Sequence, residues 1–174
     1  MKKFIYTLLS VVIFLTLTSF TSYSGRSVPV QPKSAPDFSL PALNGQTYSL
    51  KDFRGKLVIL NFWASWAAPC LREMPNLERI NQLYKDSSVQ VLGVAVVSNP
   101  DDIPQKVKLT GVTYPILIGS KELIAQYGSF SDLPTTFIIN GDGTILKELN
   151  GSHTYRMLMK QIHKLISVPS ISKR

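Results

Sequence analysis

The sequence predicts an α/β protein with a mixed central β-sheet, helices on both faces of the sheet and an N-terminal β-hairpin. Apolar runs of strand length alternate with segments whose apolar residues recur at helical spacing. The first two long strands are separated by a helix, which makes them parallel neighbours with a right-handed connection. The last two strands are joined across residues 140–143, a Gly-rich hairpin signal, and therefore run antiparallel on the same sheet.

Length and composition are those of one globular domain, which we place at residues 35–168. The chain has 174 residues, of which 44% are hydrophobic, too many for intrinsic disorder. Its formal net charge is +8, and its one cysteine excludes an intramolecular disulfide and a multi-thiolate zinc or iron–sulfur site. No basic–aromatic pattern indicates a nucleic-acid partner.

The N-terminal segment is typical of an exported protein. Lys2 and Lys3 precede an apolar run over residues 4–20, and small residues follow it, so residues 1–24 are interpreted as a signal peptide. An uncleaved membrane anchor is the second interpretation, since the run is near the short limit for spanning a bilayer. Residues 25–34 are predicted to be a linker, and residues 169–174 a C-terminal tail.

The elements of the domain follow from periodicity and turn signals. Asn44-Gly45 is a strong turn dipeptide and predicts a hairpin between residues 37–40 and 46–50. Continuous apolar runs at 57–62 and 89–97 predict strands buried on both faces. The remaining predicted strands cover residues 114–118, 135–139 and 144–150.

Four helices are predicted between and after these strands. The first has a stripe of apolar residues and Pro75 inside it, which should kink the helix. The second is weak, with Asn99 as its cap and Pro100 at its first position. The third ends at Gly128, and the fourth is amphipathic. The predicted helices cover residues 71–84, 101–109, 121–127 and 154–167.

The segment that carries chemistry runs from Asn61 to Pro75, from a buried strand through a short loop into a helix. The first turn of a helix has free backbone N–H groups and a positive dipole end. A thiol at such a place is biased toward the reactive thiolate, whereas burial away from charge raises the pKa of a thiol. In this chain we interpret Cys70 as an inert thiol, partly shielded at the start of the helix. Two cysteines spaced C-x-x-C at such a place can shuttle between dithiol and disulfide.

This segment resembles the active-site loop of the thioredoxin superfamily, and most closely that of the extracytoplasmic thiol–disulfide oxidoreductases of the TlpA/ResA type, which have a redoxin domain. Their pattern is approximately F-W-A-x-W-C-x-P-C-x-x-E-x-P. The N-terminal hairpin and the Leu133-Pro134-Thr135 loop match as well, so the resemblance spans residues 35–168 and implies a thioredoxin-like fold. The matching loop residues are Phe62, Trp63, Ala64, Trp66, Pro69, Cys70, Glu73 and Pro75.

The resemblance implies a role for each site residue. Cys70 takes the place of the resolving cysteine, and Glu73 that of a carboxylate which modulates cysteine acidity and takes part in proton transfer. Pro134 takes the place of a cis-proline, which positions the backbone of Leu133 beside a bound extended peptide. Trp66 offers an apolar surface to a partner. Pro69 and Thr135 complete the expected binding residues.

One position departs from the family pattern, because the nucleophilic first cysteine is Ala67. A methyl group has no nucleophilicity, so the usual exchange cannot begin there. Three accounts remain open: an engineered replacement of cysteine by alanine, a natural relative that keeps the fold as a binding module, and a monothiol protein that uses Cys70. A peroxiredoxin-like antioxidant is a distant alternative, weakened by the same loss.

Partners and location also follow from the resemblance. It implies reduction of disulfides in extracytoplasmic proteins, with apocytochrome c cysteines as one candidate substrate and a membrane thiol donor as the source of electrons. We expect the protein to lie in the periplasm or at the outer face of the cytoplasmic membrane, with membrane contact only through the N-terminal segment.

No cofactor or metal is expected, and His153 and His163 are interpreted as helix-surface residues. The basic stretch after Asn150 is interpreted as a solvated helix face, in preference to a membrane-binding one.

Overall fold

The computed structural model describes residues 33–85 and 87–166. The predicted export segment at 1–24, the linker up to residue 32, and the tail at 169–174 lie outside these described residues. The elements in chain order are β1 (Ser39–Pro41), β2 (Thr47–Ser49), a 3-10 turn (Leu50–Phe53), β3 (Leu57–Trp63), α1 (Ala68–Leu83), β4 (Val89–Ala95), α2 (Asp102–Thr110), β5 (Ile116–Ile118), α3 (Lys121–Tyr127), β6 (Thr135–Ile139), β7 (Ile145–Asn150) and α4 (Tyr155–Ile166).

The central sheet has the mixed topology that the sequence predicts. Its strand order is β5-β4-β3-β6-β7. Strands β3, β4 and β5 are parallel, whereas β6 is antiparallel to both β3 and β7. Strands β1 and β2 pair antiparallel as a separate two-stranded sheet, so the N-terminal hairpin is confirmed.

The central strand β3 is buried on both faces, and its alternating side chains enter two different cores. Ile59 and Trp63 pack in the core that holds the buried residues of α1, α2 and α4. Leu60 and Phe62 pack in the opposite core, with α3 and the N-terminal hairpin. Helices therefore cover both faces of the sheet, as expected from the unbroken apolar run of β3.

The first helix begins earlier than its apolar stripe indicates. It starts at Ala68, three residues before the predicted start at Leu71, because Pro69 in the first turn needs no hydrogen-bonded N–H. Pro75 lies inside the helix, as predicted.

The second helix receives its capping bond from Asn99, as predicted: the side-chain oxygen of Asn99 accepts the Asp101 N–H at 3.1 Å, and its carbonyl accepts the Asp102 N–H at 3.1 Å. Asp101 itself has helical dihedral angles and makes no side-chain cap bond. The regular helix α2 begins at Asp102, one residue later than predicted. Two predicted strands are also too long, since β4 stops at Ala95 and β5 has only three residues.

The 3-10 turn after β2 was not predicted. The Ser49 hydroxyl accepts the Lys51 N–H at 3.4 Å, and the Asp52 carboxylate accepts the Ser49 N–H at 2.7 Å. This capping box ends the hairpin and turns Leu50 and Phe53 into the core. No helix within the described part of the chain combines the length and apolarity needed to cross a membrane.

Candidate functional site

The active-site-like loop and the proline loop lie at the same end of the sheet. Phe62, near the end of β3, pairs with Thr135, the first residue of the antiparallel β6. The loop that leaves β3 and the loop that enters β6 are therefore neighbours. Leu133 packs against the cluster that contains Ala67 and Cys70. The Leu133–Pro134 peptide bond is cis.

Cys70 is the third residue of α1, and its side chain is 1% exposed. Burial raises the pKa of the Cys70 thiol to about 11, and the charge of Glu73 acts in the same direction. Backbone hydrogen bonding at Ala64 opposes this rise without cancelling it. The helix terminus alone indicates a reactive thiolate, but in this structure desolvation outweighs it and the thiol remains protonated at neutral pH.

Ala67 occupies the position just before α1 and is itself buried. Its N–H donates to the Ala64 carbonyl at 3.1 Å, and its carbonyl accepts the Cys70 N–H at 2.9 Å. These two hydrogen bonds form consecutive tight turns in the backbone, and the side chain at the position between them is the methyl group of Ala67. Since Cys70 is the single cysteine of the sequence, no second thiol is available to complete a redox pair.

Glu73 is a fully buried acid one helical turn after Cys70. Its Oε2 accepts a hydrogen bond from Asn61 Nδ2 at 2.9 Å, and its Oε1 accepts the backbone N–H of His153 at 2.7 Å. Burial raises the pKa of Glu73 to about 7, although both hydrogen bonds lower it. Asn61 Nδ2 also donates to Thr136 Oγ1 at 2.8 Å. These four residues join β3, α1, β6 and the segment before α4.

His153 was placed wrongly by the sequence interpretation, which put it on a helix surface. It precedes α4, and its Nδ1 is buried, 3.6 Å from Glu73 Oε1. His163 does lie on α4 and is exposed. No short motif could reveal the contact of His153 with Glu73, because 80 positions separate the two residues.

The outer side of the site presents Trp66 and Val97. The Trp66 side chain is 68% exposed, and its indole Nε1 donates to the Val97 carbonyl at 2.9 Å. Val97 is 50% exposed and has a φ of 49°, a left-handed conformation that is unusual for a β-branched residue. The indole ring is therefore held on the surface by a bond at its polar edge.

The other predicted binding residues differ in exposure. Pro69 and Leu133 are half-buried, whereas Pro134 is buried. The Leu133 backbone N–H and C=O have no hydrogen-bond partner within residues 33–85 and 87–166. Thr135 is fully buried, and its hydroxyl donates to the Asp132 carbonyl at 2.7 Å.

The described residues contain no cluster of three or more His, Cys, Asp or Glu side chains suited to a metal ion.

Comparisons with known proteins agree with this geometry. The model of the AhpC/TSA family matches residues 32–148. The chain is 33% identical over 171 residues to the thiol-disulfide oxidoreductase ResA of Bacillus thuringiensis subsp. konkukian, covering 94% of this chain and 97% of that protein.

Solved structures with the same fold include two that are more than a quarter identical in sequence. A Chlorobium tepidum protein assigned as the thiol:disulfide interchange protein DsbE has a TM-score of 0.72 at 28% identity, covering 78% of this chain and 97% of its own. StoA from Bacillus subtilis has a TM-score of 0.65 at 29% identity, covering 75% and 99%. The chain therefore belongs to the AhpC/TSA family, as a thioredoxin-fold relative of the ResA-type thiol-disulfide oxidoreductases.

Proposed function

We propose that this chain is an exported member of the thiol-disulfide oxidoreductase family that binds extracytoplasmic proteins carrying cysteines or disulfides but does not turn over dithiol exchange. One observation carries the proposal: alanine occupies position 67, and the remaining thiol, Cys70, is buried with a pKa raised to about 11. Thiol–disulfide exchange needs an accessible thiolate. Neither position provides one, although the surrounding loop matches the family pattern in sequence.

The binding part of the proposal rests on the outer side of the site. Trp66 offers an exposed aromatic surface, and on the neighbouring loop the Leu133 backbone has a donor and an acceptor that are unpaired among the described residues. An extended peptide can pair with exposed backbone groups while its side chains contact an aromatic face. We infer that such a segment, with apocytochrome c cysteines as a candidate, binds there.

The location and the reductant are parts of the same proposal. The apolar run at 4–20 after Lys2 and Lys3 supports export, which places the domain in the periplasm or at the outer face of the cytoplasmic membrane. With a cysteine installed at position 67, its thiolate attacks a substrate disulfide, forms a mixed disulfide and releases one substrate thiolate. Cys70 then attacks that mixed disulfide and releases the second thiol, so the protein is oxidised and a membrane thiol donor must return two electrons.

The decisive experiment compares the chain with Ala67→Cys in the reduction of insulin disulfides by dithiothreitol. We expect negligible acceleration by the unaltered chain and clear acceleration by Ala67→Cys. The matched control is the double variant Ala67→Cys/Cys70→Ser, which can form the mixed disulfide but lacks the resolving thiol. Turnover by the unaltered chain, or none by Ala67→Cys, would overturn the redox half of the proposal.

The binding half of the proposal has a separate test, because the exposed indole that its bond to Val97 holds in place is the expected contact for a partner. We expect Cys70→Ser to leave partner capture unchanged and Trp66→Ala to weaken it by more than tenfold, typical for an aromatic anchor. A monothiol role predicts the reverse, with loss on Cys70→Ser. The burial of Cys70 argues against that role.

A further inference from the structure

The exposed side of α4 carries cations that the site and the two cores do not use. Arg156 and Lys160 are one helical turn apart, and both are exposed. Arg79 of α1 joins them, since its guanidinium carbon lies 4.0 Å from the centroid of the Tyr155 ring. We call Arg79, Arg156 and Lys160, together with the exposed Met157, the basic face.

Exposed carboxylates do not offset this charge within the described parts of α1 and α4. The two acids of these helices are Glu73, which is fully buried, and Glu78, which accepts the backbone N–H of Thr113 at 2.8 Å and its hydroxyl at 2.7 Å. After Asn150 the sequence has five Lys and Arg residues and no Asp or Glu. The basic face is therefore complementary to an anionic partner.

The same face has an apolar component that a purely electrostatic contact would not need. A shallow, largely open groove of about 610 Å³ on α4 is lined by Tyr155, Arg156, Met159, Lys160 and His163. Tyr155 and Met159 are its more buried members. Arg156 and Lys160 line the groove from exposed positions. Met157 is 48% exposed on the same helix. An apolar groove with cationic edges fits a molecule that has an anionic headgroup and hydrocarbon.

We propose that the basic face docks on an anionic phospholipid surface, with α4 lying along the plane of the bilayer. Interfacial helices bind membranes through basic side chains that flank apolar ones. A highly acidic protein segment would satisfy the cations but leave Met157 and the groove uncovered. This inference revises the interpretation of this stretch as a solvated helix face, and it does not depend on the chemistry at Ala67.

The test measures whether this face touches lipid. Met157→Cys in the full chain is labelled with an environment-sensitive fluorophore and mixed with phosphatidylcholine vesicles, with or without phosphatidylglycerol, that contain nitroxide-labelled lipid. Leu109→Cys on α2, where the native side chain is 74% exposed, is the reference position. The parent chain treated alike gives the background from the buried Cys70. Any attachment through residues 4–20 would affect every variant alike, so the difference between the two positions reports the basic face.

We expect a blue shift and quenching at position 157 only with phosphatidylglycerol, and a loss of both at high salt. Each basic side chain strengthens binding to an anionic membrane by roughly fivefold, so Arg156→Glu/Lys160→Glu should weaken docking by more than tenfold. The double variant Lys108→Glu/Lys121→Glu makes the same change in net charge on α2 and α3 and should retain docking.

Three results would overturn the proposal. The first is an equal loss in both double variants, which would mean that only net charge matters. The second is equal quenching at positions 157 and 109, which would mean that no particular face contacts the lipid. The third is no response to phosphatidylglycerol vesicles. If poly-glutamate then shifts the fluorescence at position 157, the face belongs to an acidic protein partner instead.

Discussion

The side-chain amide of Asn61 lies 2.9 Å from Glu73 Oε2, inside the core beside the family loop. The same amide donates to Thr136 Oγ1 at 2.8 Å. One buried side chain on β3 therefore holds together the helix that carries Cys70 and the strand that follows Pro134. Such a contact stabilises the site only while every polar partner is satisfied, because an unpaired group in the core costs free energy.

We therefore predict that Asn61→Ala destabilises the fold by about 2–3 kcal/mol, since it leaves Glu73 with an unpaired oxygen in the core. It should also raise the pKa of Glu73 further, because the hydrogen bond from Asn61 lowers that pKa. Urea unfolding measures the first effect, and Gln126→Ala on the exposed side of α3 is the control. If Asn61→Ala lowered the free energy of unfolding by less than about 0.5 kcal/mol, as substitutions on the surface do, the buried hydrogen bond to Glu73 would not stabilise the fold as argued.

The stability of the fold should fall as the pH rises from about 5 to 8. Below its ordinary pKa of 4.5 the Glu73 carboxyl is protonated in both states. At higher pH the unfolded chain releases this proton, whereas the folded chain keeps it up to a pKa of about 7, so unfolding becomes more favourable. The total decrease in the free energy of unfolding is about 3 kcal/mol, and it is complete once the pH is above the folded-state pKa of Glu73.

Urea unfolding across this pH range, repeated with Glu73→Gln, tests the assignment. The variant cannot ionise at position 73, so its stability should change much less between pH 5 and pH 8. The exposed Glu148→Gln is the matched control and should keep the dependence of the parent chain. Parallel curves for the parent chain and Glu73→Gln would mean that another group causes the fall.

The fold was predictable because its elements are marked locally. The apolar run over residues 57–62 indicated the doubly buried β3, and the turn at Asn44-Gly45 indicated the first hairpin. The ends of elements were less predictable. Val97 has a left-handed φ that takes the chain out of β4, although its side chain is a typical strand former.

The site was predictable only as far as its motifs extend. The loop from Trp66 to Glu73 is continuous in sequence, so its residue types and spacing could be read directly. The hydrogen bonds of Asn61 and Glu73 span 12, 75 and 80 positions and arise only when the strands pair. The pKa of Cys70 is raised by burial and by the charge of Glu73 and lowered by backbone hydrogen bonds at Ala64 and Cys70, and sequence alone does not give their balance.

Cys70 should be nearly inert toward alkylation in the folded protein. Its pKa is raised from 9.0 to about 11, which lowers the thiolate fraction at pH 8 about a hundredfold relative to the unfolded chain. We expect iodoacetamide to react at least that much more slowly with the native protein than with the protein in urea. N-acetylcysteine in the same two solutions corrects for the effect of urea. Similar rates in both states would show that the thiol is accessible.

Gly93 lies in β4 at a position where the surrounding side chains leave no room for a Cβ atom. It pairs with Asn61 on one side and Ile116 on the other, and an added Cβ would lie 2.8 Å from Ile116 Cδ1 and 3.3 Å from Trp63 Nε1. Gly93→Ala should therefore destabilise the fold by about 1–3 kcal/mol through overpacking. Ile116→Val removes the atom that clashes most, so Gly93→Ala/Ile116→Val should lose clearly less stability than the sum of the single changes. Strict additivity in urea unfolding would show that the close approach to Ile116 is not the cause.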